Sequence, residues 1–133
     1  MSKPENAMLN RVRKELEPLG YYTEKITPVF SNGTPDLYIE KQGVDAFCEG
    51  KFIPRKTIHV GDFVTAEMPI KQLSALQHTW ITRRLANNLK TFLLVGYGSY
   101  TYAMFRSLDA AEHAPVRNKR GIVEDIEAYM NAP

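Results

Sequence analysis

One cysteine, Cys48, stands in 133 residues. That excludes an intramolecular disulfide and a cysteine-based zinc cluster, and it fits a reducing compartment. No sign of charge dominates: 17 Lys+Arg against 15 Asp+Glu leave a formal net charge of +2. The balance excludes a histone-like basic arm or an acidic tail, so any binding to nucleic acid must come from a local basic face. Long apolar runs are missing as well. The longest, Phe92-Leu93-Leu94-Val95, stops after four residues, far short of the ~20 that cross a bilayer. Met1-Ser2-Lys3-Pro4-Glu5 has no apolar stretch after its lysine and does not read as a signal peptide. Eight Gly and eight Pro are average usage, and no repeat or biased segment appears. The expectation is a soluble cytoplasmic protein with no membrane partner.

What is present suffices for one core. The chain is 44% hydrophobic and 11% aromatic, and its length suits a single domain that needs no disulfide. Leu9, Val12, Leu16 and Leu19 recur at helical spacing, predicting a first helix over 3–19 that Ser2 caps and Pro18 and Gly20 end. Residues 21–30 read as one strand, broken near Pro28. After the turn cluster Asn32-Gly33-Thr34-Pro35, residues 36–40 and 44–51 alternate apolar and polar around Gln42-Gly43, the pattern of a hairpin. Residues 52–70 are the least readable, with a ribbon or a loop over the sheet expected at 58–64. A broad stripe of Leu73, Leu76, Trp80, Ile81, Leu85 and Leu89 predicts a helix over 73–89. Strands follow at 92–97 and 100–106, then a helical turn at 107–112 and a last short helix carrying Ile122, Val123, Ile126, Tyr129 and Met130. The order predicts an α/β fold, helices around a mixed sheet.

The hairpin register follows from its turn. With Gln42 and Gly43 as the two loop residues, facing residue numbers sum to 85. Leu37, Ile39, Val44, Ala46, Cys48 and Gly50 then share a core face. Asp36, Tyr38, Glu40, Asp45, Phe47, Glu49 and Lys51 share the other, and Asp36 faces Glu49. Two carboxylates roughly 5 Å apart repel and weaken a sheet. A divalent cation between them removes the conflict, and Mg²⁺ is suited to one or two carboxylates plus the phosphate oxygens of a substrate. Lys51, two residues beyond Glu49, rises from the same face. A metal with an adjacent ammonium is the arrangement for hydrolysing a phosphodiester.

Gly33-Thr34-Pro35-Asp36 and Glu49-Gly50-Lys51, thirteen residues from acid to acid, resemble the PD-(D/E)XK nuclease superfamily. The glycine before Thr34-Pro35-Asp36-Leu37 and the helix start Leu73-Ser74-Ala75-Leu76-Gln77 are most similar to its VRR-Nuc branch and junction-resolvase-like relatives. The resemblance spans about residues 5–97. It implies a restriction-endonuclease-like fold, with a core over about 5–106 and a C-terminal helical extension over about 107–133. It also implies a Mg²⁺-dependent DNA endonuclease, with Mn²⁺ able to substitute, acting on duplex or branched DNA. Asp36 and Glu49 then hold the metal, Gly50 lends a carbonyl, Lys51 serves the attacking water, and Glu5 from the first helix is the additional acid. For substrate, Lys25, Arg55, Lys56 and Gln77 are the contacts expected. A homodimer is expected if cleavage is symmetric, and small size points to a phage or bacterial source.

Plainer readings stand beside these. Asp36 can be a turn aspartate after Pro35, and Glu5 can close a Ser2-x-x-Glu5 capping box. Gln77 can be helix surface, Trp80 reads as core, and Cys48 as a buried inert thiol. His59, His78 and His113 have no ligand spacing. The alternative functions are a non-catalytic nucleic-acid-binding module that keeps the fold, and an interaction protein whose acidic face binds a cation or a basic partner.

Overall fold

Met8, Leu9, Val12 and Leu16 place four fully buried side chains on one stripe of helix α1 (Lys3–Leu16). In the computed structural model, which describes residues 3–26 and 33–133, α1 ends earlier than its apolar stripe. Glu17–Leu19 tightens into a 3-10 turn, and Gly20, with φ 95°, closes it through its N–H to the Glu17 carbonyl. Left-handed backbone at that position is where glycine costs least. Ser2 and residues 27–32 lie outside the described residues, and with them the Ser2 cap, the break at Pro28 and part of the expected turn cluster.

The strands β1 (Tyr22–Lys25), β2 (Leu37–Lys41), β3 (Val44–Phe52), β5 (Thr91–Gly98) and β6 (Thr101–Phe105) form one sheet in the order β1-β2-β3-β5-β6. Only β3 and β5 run parallel; every other neighbouring pair is antiparallel. The β2–β3 hairpin turns on Gln42 and Gly43, both at positive φ (53° and 81°), as a two-residue turn matched to strand twist requires. The expected register holds: Lys41 faces Val44, Ile39 faces Ala46, and Leu37 faces Cys48. Buried Leu37, Ile39, Ala46 and Cys48 lie in a core shared with α1 and α4 (Lys119–Asn131).

The opposite face of the sheet carries a second core, in which Leu93, Val95 and Tyr97 of β5 and Ala103 and Phe105 of β6 meet Ile81 of α3 (Ala75–Ala86). The expected helix over 73–89 is shorter, and only Ile81 in it is fully buried. Its stripe is cut by chemistry at both ends. Ser74 caps the start, and Asn88 at φ 58° lies beyond the last turn, leaving Leu89 44% exposed. Residues 58–64 lead into a small ribbon of their own, where β4 (Phe63–Thr65) pairs with β7 (His113–Pro115). A short helix, α2 (Glu67–Lys71), follows β4. The helical turn expected at 107–112 is instead a side-chain-held loop, with Glu112 accepting from the Arg106 and Ser107 amides. Past it, Ile122, Val123, Ile126 and Met130 of α4 are buried in the first core, so the C-terminal helix is part of the packing that holds α1 and the sheet.

Candidate active site

Strand parity places the polar cluster. Glu49 and Lys51 pair in parallel with Leu93 and Val95, so their side chains rise on the α3 face, with the second core behind them. Glu49 is only 1% exposed and Lys51 is half-buried. Asp36 sits one residue before β2 and reaches across the hairpin: its Oδ2 accepts the Gly50 N–H at 3.0 Å. It therefore holds a backbone amide, as an aspartate beside a turn does, but on the strand that carries Glu49 and not within its own turn.

Gly33 explains how this corner is pressed against α3. Its φ is +82°, and a Cβ there would run into the backbone carbonyl of Leu76 and come within 2.8 Å of the Gln77 nitrogen. Glycine at this position lets the Gly33-Thr34-Pro35-Asp36 segment lie directly on the first turn of α3. That turn is fixed by a reciprocal cap. Ser74 Oγ accepts the Gln77 N–H at 3.1 Å, and Gln77 Oε1 accepts the Ser74 N–H at 2.9 Å. The Gln77 side chain is thus preorganised. Its Nε2 donates to Glu49 Oε2 at 3.0 Å, and its Oε1 also accepts from Lys51 Nζ at 3.4 Å. Lys51 Nζ lies 3.5 Å from the same Glu49 Oε2. Gln77 was expected to touch substrate; here it ties Lys51 and Glu49 to the helix cap.

Glu49 is electrostatically unusual. Burial, then the neighbouring Asp36 carboxylate, raise its pKa from 4.5 to about 8, against the opposing pull of Lys51. Its second oxygen, Oε1, is buried with no hydrogen-bond partner. An orphaned carboxylate oxygen beside a second carboxylate is a position that a proton or a hard cation would satisfy. The donor set, oxygens of Asp36 and Glu49, suits Mg²⁺ or Mn²⁺. No set of three or more His, Cys, Asp or Glu arranged to hold a metal occurs among the described residues. Glu5 lies half-buried in the first turn of α1, the helix whose Leu9 packs against Gly50 on the other face of the sheet.

The remaining residues separate. Lys25 pairs with Leu37, which puts it on the α1 face, opposite to Glu49 and Lys51, and the register does not bring it to the cluster. Arg55 and Lys56 are exposed beyond the end of β3. The chain stays extended there, since the Ile53 and Arg55 amides donate to the Gly96 and Tyr97 carbonyls. Arg55 lines a cavity together with Tyr97, whose side chain belongs to the same core as Leu93 and Val95, the partners of Glu49 and Lys51. Arg117, one of the basic clusters, is engaged with Asp125 at 3.0 Å. Sequence reasoning missed Ser74 as the anchor of Gln77, although Ser-x-x-Gln is a readable cap. It also missed an aromatic group beside the cluster: Phe47 meets Trp80 edge to face at 5.0 Å between centroids, and the Arg84 guanidinium lies 4.7 Å over Phe47.

No family model matches the sequence, and no curated protein does. Among solved structures, the Holliday junction resolvase Hjc of Archaeoglobus fulgidus, an archaeal hyperthermophile, superposes with a TM-score of 0.52 and 12% identity, over 90% of this chain and 96% of that one. At that identity the likeness shows the fold. The chain is a single α/β domain with a restriction-endonuclease-like architecture, a five-stranded mixed sheet flanked by helices.

Proposed function

We propose that the chain is a Mg²⁺-dependent endodeoxyribonuclease of the PD-(D/E)XK type, nearest in motif to the VRR-Nuc branch, that hydrolyses phosphodiester bonds in branched or nicked DNA. The observation that carries the reading is the convergence of Asp36, Glu49 and Lys51 on one corner of the sheet, locked by Gln77. Nearly full-length likeness to a junction resolvase supports it. Asp36 and Glu49 would hold the cation, with the Gly50 carbonyl as a further ligand; Glu5 is left out of the proposed set, because no three such acids are grouped among the described residues. Mn²⁺ is the expected substitute. When bound, the cation supplies polarisation of the phosphodiester and a lowered pKa for the attacking water.

The chain's own groups do the rest. Lys51 presents a positive donor where charge develops on the phosphate oxygens. Gln77 fixes the Lys51 ammonium and the Glu49 carboxylate in one geometry, so little reorganisation is left to the reaction. Arg55 and Lys56 neutralise phosphates past the strand end. Paired cuts on a four-way junction need two sites, so a homodimer is the form proposed to act, in the cytoplasm of a bacterium or a phage-infected cell.

The test is a panel of duplex, nicked, flap and four-way DNA incubated with Mg²⁺, Mn²⁺ or EDTA. Metal-dependent scission of branched or nicked DNA is expected. DNA binding without scission under every condition would leave the non-catalytic module, and no binding at all would remove both.

A further inference from the structure

Beyond Lys51 the catalytic strand runs into a cavity that the hydrolytic cluster does not use. It measures about 230 Å³ and is lined by Arg55, Tyr97, Phe63, Thr65, Met68 and Pro69, among others. Arg55 is the one charged residue in its wall. Phe63, in a strand only three residues long, leaves 71% of its surface in solvent, and Met68 leaves 41%. Tyr97 forms the floor at 3% exposure, with burial pushing its hydroxyl up to about 12, so it stays neutral.

We infer that this cavity takes an unpaired nucleobase of the DNA substrate, stacked against Phe63, with Arg55 on the adjoining phosphate. The inference rests on the nuclease reading and adds a substrate feature to it. Three observations carry it. Arg55 lines the cavity beside Tyr97, which shares its core with Leu93 and Val95, the partners of Glu49 and Lys51, so a DNA strand lying on the cluster continues past the cavity mouth. Arg55 is four positions beyond Lys51, a span of at most about 13 Å. Stacked DNA carries one phosphate per about 3.4 Å of each strand, so the base entering the cavity lies no more than about four nucleotides from the bond cut. Finally, a mixed wall in which Phe63, Met68 and Pro69 offer ring and aliphatic contact beside the Thr65 and Tyr97 hydroxyls and one guanidinium matches a heteroaromatic ring with polar edges joined to one anion. A paired base cannot enter, because its ring is stacked and its edge is occupied; a flap, bulge or junction centre supplies one that can.

The experiment measures affinity by fluorescence anisotropy, with Ca²⁺ in place of Mg²⁺. The probes are nicked duplexes carrying a single unpaired nucleotide, one to six positions from the nick, either with its base or as an abasic residue. For the wild-type protein, base-bearing DNA is expected to bind roughly tenfold tighter than the abasic form at one register within four positions, the scale of one stacked base. Phe63→Ala should bring the base-bearing DNA down to the abasic level. Thr65→Trp, which fills the cavity without removing Phe63, should do the same. Equal affinity for the two probes in the wild type, or a Phe63→Ala loss that is the same for both, overturns the cavity assignment while leaving the nuclease reading in place. If Phe63→Ala turns a dimer into a monomer in size-exclusion chromatography and keeps the base preference, the patch belongs to a second copy and the assignment is overturned. Failure of the wild type to bind any of the probes overturns the nuclease reading itself.

Discussion

A carboxyl group held neutral close to pH 7 gives Glu49 a signature in stability. Its folded pKa of about 8 is raised above 4.5, first by burial and then by Asp36. The native state therefore binds the proton more tightly than the unfolded chain does. The stability that Glu49 contributes is complete below pH 4.5 and is lost as pH rises toward 8, by a total on the order of 5 kcal/mol. Without divalent cations, Glu49→Gln should flatten the fall in melting temperature across that window. The proton also relieves the repulsion expected of the Asp36–Glu49 pair. Asp36→Asn should consequently change stability little at pH 7 and raise it above pH 8, by the ~0.2–1 kcal/mol of a like-charged cross-strand pair. Thermal melts from pH 5 to 9 check both; a variant profile parallel to wild type would refute the assignment. For activity, Asp36→Ala and Lys51→Ala are expected to lower kcat by several orders of magnitude while far-ultraviolet circular dichroism stays native. A wild-type rate in either variant removes the hydrolytic roles given above.

Among the elements, α3 shows why its short cap matters to chemistry at the sheet. Ser74 holds Gln77, and Gln77 holds Lys51 and Glu49. Ser74→Ala should cost about 1 kcal/mol of stability as a lost helix cap. It should also lower kcat more than it raises KM, because the residue it releases positions Lys51; a stability loss with unchanged kcat would confine Ser74 to capping. The same elements explain what could be read in advance. The hairpin was legible because a two-residue turn fixes every pairing after it, and with it the common face of Glu49 and Lys51. The extent of α3 was not, since periodicity in Leu73, Leu76 and Leu89 continues through residues that Ser74 and Asn88 exclude from the helix. Strands β4 and β7 are three residues each and pair across some fifty positions, too short and too distant for alternation to reveal. Glu49 and Lys51, which the expected register puts on one face, lie on the hairpin. Lys25 faces Leu37 and so lies on the α1 face, a position that depends on the β1–β2 pairing and not on the hairpin count.

For the whole molecule, a net charge of +2 means that the DNA binding proposed above must come from local attraction. Several cations are already committed: Arg117 to Asp125, Lys119 to Glu15, and Arg84 to the Phe47 and Trp80 rings. Exposed Arg55, Lys56 and Arg83 remain on the surface. Binding with Ca²⁺ should weaken roughly tenfold or more between about 50 and 200 mM salt, with little cleavage, because calcium's looser coordination suits bridging better than orienting. Salt-independent affinity, or equal rates in Ca²⁺ and Mg²⁺, would contradict it. Cys48 offers an internal clock for the same domain. It is the chain's one thiol, fully buried on β3 next to Glu49, with burial pushing its pKa well up. A maleimide can reach it only when the central strand parts from its neighbours, so the labelling rate counts openings of the sheet. Adding Mg²⁺ should slow that rate in proportion to the affinity of the folded form for the ion. Binding at the carboxylates thus becomes readable from the far side of the strand, with no DNA in the tube.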